Sequence, residues 1–261
     1  MRATLRFLRA LVATNLKASL ALRGAFWARV VFMMANNLIF FVMWWVFFER
    51  FEEVRGWRLP DMAALFGICA GAFGLAVVFG AGVRELSRLI VNGDLDSFLT
   101  QPKPPLLHAV ASQSEAAGWG DCVSGMVLLG LSGYLTPLGI PVALLAMVCG
   151  ALVFLASGVM MHSLAFWAGD TSSISRQMWE FLIAFSCYPK TIFVGWLKVV
   201  LFTLLPAGFI SFLPVDLVRD FHVAGLLAVV GGALLYTMLA ALVFRTGLRR
   251  YESGNRFGVR A

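Results

Sequence analysis

Five long apolar segments dominate the chain, and each contains at most one acidic or basic residue. Because a helix needs about 20 apolar residues to cross the bilayer's hydrocarbon core of about 30 Å, the pattern predicts five membrane-spanning helices. The segments are Val30–Phe48, Met62–Val83, Ala116–Leu135, Leu138–Gly169 and Val223–Phe244.

The stretch between the fourth and the last of these segments is apolar but broken by prolines. Ser172–Tyr188 is predicted to be a further span, whereas Ile192–Leu205 is too short to cross comfortably and is followed by Pro206 and Pro214. Since proline interrupts helical hydrogen bonding, we expect Thr191–Pro214 to form a re-entrant helical hairpin. The predicted fold is therefore all-α, with six transmembrane helices in a single transmembrane domain covering residues 1–261.

The first 27 residues have the pattern of a basic amphipathic helix. On a helical wheel one face carries Arg2, Arg6, Arg9 and Lys17, and the adjoining face carries Leu5, Leu8, Val12 and Leu16. This predicts an interfacial helix over residues 1–27 that lies on the cytoplasmic leaflet before the first span. An ordinary basic tail beside the membrane is the alternative. The apolar run is broken by polar residues, so we expect no cleavable signal peptide.

The distribution of lysine and arginine predicts the orientation. With six spans, fifteen of these residues lie on the side of the two termini and six on the other side. The positive-inside rule then puts both termini in the cytoplasm and the chain in the cytoplasmic (inner) membrane. A full crossing in place of the hairpin would put the C-terminal arginines outside, so the charge count favours the hairpin.

Composition excludes several classes of protein. The chain is 60% hydrophobic and only 13% charged, with a mean hydropathy of +0.84. A soluble domain usually carries about 25% charged residues, so a soluble enzyme and a disordered chain are excluded. The net charge of +7 comes from basic residues between apolar runs. It therefore reflects membrane topology and not a nucleic-acid-binding surface.

The sequence lacks the common motifs for nucleotide binding, metal binding and nucleophilic catalysis. It contains no GxxxxGK[ST] phosphate loop, no HExxH and no GxSxG, and its three histidines are far apart. We expect no catalytic site, no bound metal and no cofactor. The four cysteines lie in apolar stretches without CxxC spacing, and we expect them to be small buried hydrophobic residues.

Two carboxylates lie within predicted spans. Asp121 is in the third span and Glu180 is in the fifth. Because ionisable groups are costly at this depth, either could be a proton or cation relay. The alternative is that each lies near the headgroups or is hydrogen-bonded to neighbouring Ser and Trp groups.

Gly67 and Gly71 form a small-xxx-small motif in the second span. This spacing lets two helix backbones approach closely. It predicts either packing inside the chain or a seam between two subunits.

The longest polar connection covers residues 84–115. Its first part has helical spacing and carries Arg84, Glu85 and Arg88, and Gly93 can end that helix. Next come Asp94, Leu95, Asp96, Phe98 and Leu99, whose apolar members form a patch framed by acids. A short amphipathic helix of this kind is suited to docking in a groove of a cytoplasmic partner. A solvated interfacial loop is the alternative.

Three segments resemble the type-2 ATP-binding-cassette permeases of the short six-span subgroup. Residues 93–102 match the signature G-x-L-D-x-x-L-x-x-P. The run 188–193, with Pro206 and Pro214 after it, is similar to the exit of that subgroup's fifth span. Residues 247–253 are similar to its C-terminal tail. The run Lys103-Pro104-Pro105 departs from the pattern.

The resemblance implies that the chain is the membrane subunit of an ABC exporter. Two such subunits, identical or related, would sit on two cytoplasmic ATPase subunits, which would hold the ATP and magnesium. The region 93–100 would be the coupling helix, with Arg84, Glu85 and Arg88 just before it. The hairpin, with Tyr188, Pro189, Pro206 and Pro214, would close the outer side of the path.

Two other functions remain open from the residues alone. A proton-coupled carrier would use Asp121 and Glu180. An intramembrane lipid-modifying enzyme would need His, Asp or Glu clustered at one depth, which the spans do not show. The apolar, aromatic-rich spans suit a hydrophobic cargo and lipid contact equally, so sugar polymers, lipids, peptides and drugs are all possible substrates.

Overall fold

The structure, a computed structural model, describes residues 2–252. In this part of the chain the regular elements are helices joined by turns and loops, and the β-type pairing is limited to an isolated bridge between Val54 and Trp57. Ser253, Arg256 and Arg260, which entered the predictions above, lie outside the described residues, as do the side chains of Arg2 and Leu5. The long helices are α1 (Arg2–Ala21), α2 (Arg23–Arg50), α3 (Leu59–Gly80), α7 (Ala117–Leu131), α8 (Gly139–Ser163), α10 (Ser172–Ser186) and α13 (Val223–Leu248). The short ones are α4 (Leu86–Val91), α5 (Asp96–Leu99), α6 (Pro105–Ala111), α9 (Ala165–Ala168), α11 (Trp196–Val200) and α12 (Leu213–Arg219), with a 3₁₀ turn at Ala81–Glu85 and a π-helical turn at Gly208–Phe212.

Four helical stretches in the described chain are long and apolar enough to cross a membrane: Arg23–Arg50, Leu59–Val91, Gly139–Ala168 and Val223–Leu248. Helix α7 is a shorter apolar helix. These helices confirm the prediction of an all-helical, multi-pass membrane protein. The count of six spans stays a prediction. Helix α10 has 15 residues and is about 22 Å long at about 1.5 Å per residue.

Helix α3 lies at the centre of the bundle. Residues 61–72 are all buried, and α3 packs against both α7 and α8. Gly67 faces Gly125 and Leu129 of α7, and Gly71 faces Met147 of α8. The two glycines therefore serve packing inside the chain. Their interpretation as a seam between subunits is wrong, because both are enclosed by this chain's own helices.

The N-terminal region forms two helices that meet at Leu22. Helix α1 ends at Ala21, and Leu22 leaves helical geometry with φ −106° and ψ 72° before α2 begins. The predicted boundary at residue 27 was therefore placed too late. Residues 23–29 continue the helix of the first span, because the apolar pattern does not show where a helix bends when both sides of the bend favour helix.

One predicted segment ends earlier in the structure, and another is interrupted before its predicted end. Helix α7 ends at Leu131 and not at Leu135, since Gly133 adopts a positive φ of 73° and Pro137 follows. The fourth segment breaks after Ser163, and the short α9 continues it. Gly169, with φ 71°, then ends that segment where the apolar pattern predicted.

The segment after α10 runs away from one end of the bundle and comes back to it. Near its start, the Arg55 side chain of the α2–α3 connection donates a hydrogen bond of 3.0 Å to the Thr191 carbonyl. At its return, Arg219 forms an ion pair of 3.0 Å with Asp61 at the start of α3. Pro214 does not end this segment, so its predicted boundary is wrong. It sits in the first turn of α12, where a missing N–H costs no helical hydrogen bond.

Candidate functional site

The connection between α3 and α7 folds into a series of short helices at one end of the bundle. The 3₁₀ turn and α4 continue directly from α3, and the chain reverses at Gly93, which has φ 77°. This positive φ favours glycine, so the predicted end of the first helix is confirmed. Helix α5 follows, and Pro104 and Pro105 then begin α6.

The three apolar residues of the predicted docking patch differ in exposure. Leu95 is fully buried at 0% exposure, and Phe98 is half-buried against the main core. Leu99 is 37% exposed. The prediction that Leu95 belongs to an exposed patch is wrong, because its side chain fills this chain's own core. The exposed face of the segment consists of Asp94, Ser97, Leu99 and Thr100.

The charged residues that precede α5 contact this chain. Arg84 forms an ion pair with Glu115, just before α7, and its guanidinium lies 5.8 Å from the Phe73 ring centre and 5.7 Å from that of Trp179. Arg84 thereby joins α3, α7 and α10 at this end. Arg88 pairs with Glu85 at 2.9 Å. Both pairs are partly exposed, so each adds little stability.

Buried contacts fix this series of helices to the bundle. The Ser87 hydroxyl in α4 lies 2.8 Å from His162 Nδ1 at the end of α8, and both residues are buried. On the opposite side, the edge of the His108 ring packs on Phe98 at 4.8 Å and on Phe7 of α1 at 5.0 Å. Burial lowers the pKa of His108, which favours the neutral form of the ring. The two contacts connect the α5 segment to both α8 and α1.

The C-terminal tail also reaches the α5 segment. Tyr251 lies beside Asp96, and burial together with that carboxylate raises the pKa of Tyr251 to about 12. The Tyr251 ring packs edge-on against Phe166 of α9 at 6.2 Å. A displacement of α5 would therefore disturb the contacts of α5 with the end of α13 as well as those with α4 and α6.

At the opposite end, Tyr188 and Pro189 line a cavity of about 540 Å³ together with Trp44, Phe48 and Trp57. Tyr188 packs edge-on against Trp44 at 5.8 Å. Pro189 is buried. These residues line the space between α2 and the start of the returning segment.

The turn between α11 and the π-helical turn is stabilised from α13. The Tyr236 hydroxyl lies 3.1 Å from the Phe202 carbonyl and 2.7 Å from the Thr203 carbonyl, within donating distance of both. Pro206 is buried just after this turn. Non-helical backbone leaves carbonyl groups without helical partners, and the Tyr236 hydroxyl supplies a partner here. Tyr236 lies near the middle of α13, so the returning segment extends about half the length of that helix.

A buried carboxylate that the sequence analysis did not single out joins three connections at this end. Asp61 is 1% exposed, accepts a hydrogen bond of 2.6 Å from Tyr134 and pairs with Arg219. A second ion pair joins Lys190 to Asp216 across the two limbs of the returning segment. The partners of Asp61 are distant in sequence, so local patterns do not predict these contacts. The one sequence signal is that Asp61 is an acidic residue directly before the apolar segment Met62–Val83.

Helix α10 presents a polar stripe that no other described element covers. Ser173, Arg176, Gln177 and Glu180 are all exposed along one face. Above them, Phe181 and Ala184 continue the same face with apolar side chains.

Asp121 and Glu180 lie in different surroundings. Asp121 is buried and accepts a hydrogen bond of 2.8 Å from Asn37 of α2, and its Oδ2 has no hydrogen-bond partner. Glu180 is exposed on α10. No hydrogen bond or ion pair joins the two carboxylates in the structure. The expected hydrogen bond of Asp121 to neighbouring Ser or Trp groups is not observed, because its partner is an asparagine on α2.

The cysteines are partly as expected. All four are free; Cys69 and Cys149 are buried, and Cys122 and Cys187 are half-buried. The sulfur atoms of Cys69 and Cys187 lie 3.5 Å apart, a contact between α3 and the end of α10 that their spacing in sequence did not suggest. Within residues 2–252, no group of three or more His, Cys, Asp or Glu residues could hold a metal ion.

The long apolar helices place the chain in the class of multi-pass membrane proteins. The family described as ABC-2 family transporter protein matches residues 32–255. The chain therefore belongs to the ABC-2 transporter family, whose members are the membrane-embedded permease components of ABC transporters. A comparison with curated proteins found no match.

Proposed function

We propose that this chain is the permease subunit of an ABC exporter, which moves its substrate outward across the cytoplasmic membrane. The family match carries this proposal. The excess of basic residues beside the termini supports an orientation with both termini and the α4–α6 region in the cytoplasm. Helix α1 then lies along the cytoplasmic leaflet. Its half-buried face, which includes Phe7, Leu8, Leu11 and Asn15, packs toward the bundle, and Arg9 and Lys17 stay exposed.

The driving force is ATP hydrolysis on a separate cytoplasmic ATPase, which holds the ATP and magnesium, while this chain binds no cofactor. The coupling surface is the exposed side of residues 93–100, with Asp94 and Leu99 as the contacts and Leu95 as the anchor beneath them. The contacts of Ser87, His108 and Tyr251 support this assignment. Through them a push on α5 reaches α8, α1 and α13 together.

The transport path lies between this chain and a second permease subunit. The polar stripe of α10 supports this, because Arg176 and Glu180 require an aqueous or protein neighbour that the single chain does not supply. From the cytoplasmic end, the stripe changes from charged to apolar at Phe181. A substrate entering there would meet polar groups first and a hydrophobic constriction next.

The outer end of the path is closed by the segment 191–219, which we propose is a re-entrant hairpin. Its two ends contact the α2–α3 connection, and its turn is held by Tyr236 near the middle of α13. Tyr188, Pro189 and Pro206 position the hairpin. The ion pairs of Asp61 and Lys190 hold it closed until the coupling helices move.

Isolation of the chain from native membranes tests the proposed partnership. The affinity-tagged chain in mild detergent is expected to bring down an ABC ATPase, and the complex is expected to hydrolyse ATP. Native mass spectrometry should give two permease and two ATPase subunits. The chain purified alone is expected to hydrolyse no ATP, and sustained hydrolysis by it, or isolation without any ABC ATPase, contradicts the proposal.

One observation favours a proton-coupled carrier enough to test it: the Asp121 Oδ2 is buried without a hydrogen-bond partner. We expect Asp121→Asn to keep ATP-dependent function, because the amide oxygen can still accept the hydrogen bond from Asn37. The measurement is ATPase activity of the complex and the transport that depends on it. Glu180→Gln on the exposed face of α10 is the matched variant, and loss of ATP-independent, proton-driven transport in either variant would favour the carrier.

A further inference from the structure

An apolar groove of about 650 Å³ lies between α8 and α13 on the cytoplasmic half of the bundle. Leu152, Leu155 and Val159 of α8 form one wall, and Ala241 and Phe244 of α13 belong to the other. Helix α6 closes the cytoplasmic end. The Lys103-Pro104-Pro105 run that departs from the family pattern begins this helix, and both prolines line the groove.

The length of the groove matches one leaflet. Its lining on α13 runs from Thr237 to Leu248, which is about 16 Å at about 1.5 Å per residue. The hydrocarbon core of a bilayer is about 30 Å thick, so the groove extends from the cytoplasmic boundary to the midplane. This is the depth that one lipid acyl chain occupies.

Among the described residues that line the groove, Arg245 at the cytoplasmic end is the one cationic residue. It is exposed and forms no hydrogen bond or ion pair with any described residue. Arg249 and Arg250 follow on the same helix end and are also exposed. The end of the groove that meets the headgroups is thus positively charged, whereas the rest is apolar.

We propose that this groove is a binding site for an anionic phospholipid of the cytoplasmic leaflet. One acyl chain lies between α8 and α13, and the headgroup phosphate accepts hydrogen bonds from the Arg245 guanidinium. The bound lipid supports α6, which packs through His108 against Phe98 of the coupling segment. The inference rests on the orientation given under the proposed function and on no step of transport.

Native mass spectrometry of the purified chain in detergent tests the site with two lipids of identical acyl chains, phosphatidylglycerol and phosphatidylcholine. One basic residue beside a headgroup is worth about 1 kcal/mol, so phosphatidylglycerol is expected to bind about fivefold more tightly. Arg245→Gln is expected to remove this preference. Arg23→Gln, an exposed arginine at the start of α2 outside the groove, should keep it.

A second pair of variants tests the groove itself. Ala241→Trp fills the groove and is expected to weaken binding of both lipids, whereas Leu242→Trp, on the exposed face of α13, should leave binding unchanged. Equal affinity for the two lipids in the unmodified chain overturns the proposal. So does a preference that survives Arg245→Gln, or full binding by a folded Ala241→Trp chain. No ATP or ATPase is used, so failure here leaves the proposed transport function standing.

Discussion

Leu95→Glu is expected to prevent folding of the coupling region, while Leu99→Glu leaves the chain folded and disrupts its complex with the ATPase. Leu95 is 0% exposed in the main core, and an ionised carboxylate without a partner there costs several kcal/mol. Total stability is only about 5–15 kcal/mol, so this single change removes a large part of it. Leu99 is 37% exposed, and surface substitutions usually alter stability by less than about 0.5 kcal/mol.

Paired measurements distinguish loss of folding from loss of the complex with the ATPase. Fluorescence-detected size-exclusion chromatography and thermal unfolding report folding, and co-purification with ATP hydrolysis reports coupling. Leu95→Met serves as the control, because a swap of similar volume usually costs less than about 1.5 kcal/mol. A Leu99→Glu chain that retains the ATPase and full hydrolysis would place the coupling surface elsewhere, and a stably folded Leu95→Glu chain would contradict the burial of that side chain.

The long helices were predictable because membrane spans are recorded in local composition. The uncharged runs that became α3, α8 and α13 each exceed the length of a crossing, and no other structure satisfies their backbone in lipid. The bend at Leu22 was not predictable, since residues on both sides favour helix and the break depends on the packing of α1 against α6. The effect of each proline on the helices could not be predicted from the sequence either. Pro206 lies at a break, but Pro214 lies inside a first helical turn.

In the coupling segment, too, one feature could be predicted from the sequence and another could not. The turn at Gly93 could be predicted because glycine is the residue that adopts a positive φ without strain. The burial of Leu95 could not, because α5 has only four residues and its apolar positions do not define which face meets the core. The contacts of Asp61 with Tyr134 and Arg219 could not be predicted from the sequence for a different reason. Its partners are distant in sequence, and no local pattern brings them together.

Gly67→Ala is expected to destabilise the bundle by about 1–3 kcal/mol, the usual cost of overpacking a core. A Cβ at this position would lie 2.8 Å from the Gly125 carbonyl oxygen and 2.9 Å from the Leu129 backbone nitrogen. Both atoms belong to the backbone of α7, so the added carbon is accommodated only if α3 and α7 move apart. Thermal unfolding of the purified chain in detergent measures the loss as a lower midpoint.

Two further glycines give the matched comparison. Gly71→Ala brings its Cβ against the Met147 side chain, which is flexible and can move aside, so a smaller loss is expected. In α13, a carbon added at Gly231 meets no heavy atom within 4 Å other than those of its chain neighbours and its own helix backbone. Ala there should leave the midpoint unchanged or raise it, since Ala favours helix over Gly by about 1 kcal/mol. The unfolding midpoint is therefore expected to be lowest for Gly67→Ala, higher for Gly71→Ala and highest for Gly231→Ala. This order follows only if α3 packs backbone to backbone on α7 inside one chain. Equal midpoints for the three variants would show that this contact does not hold the bundle together.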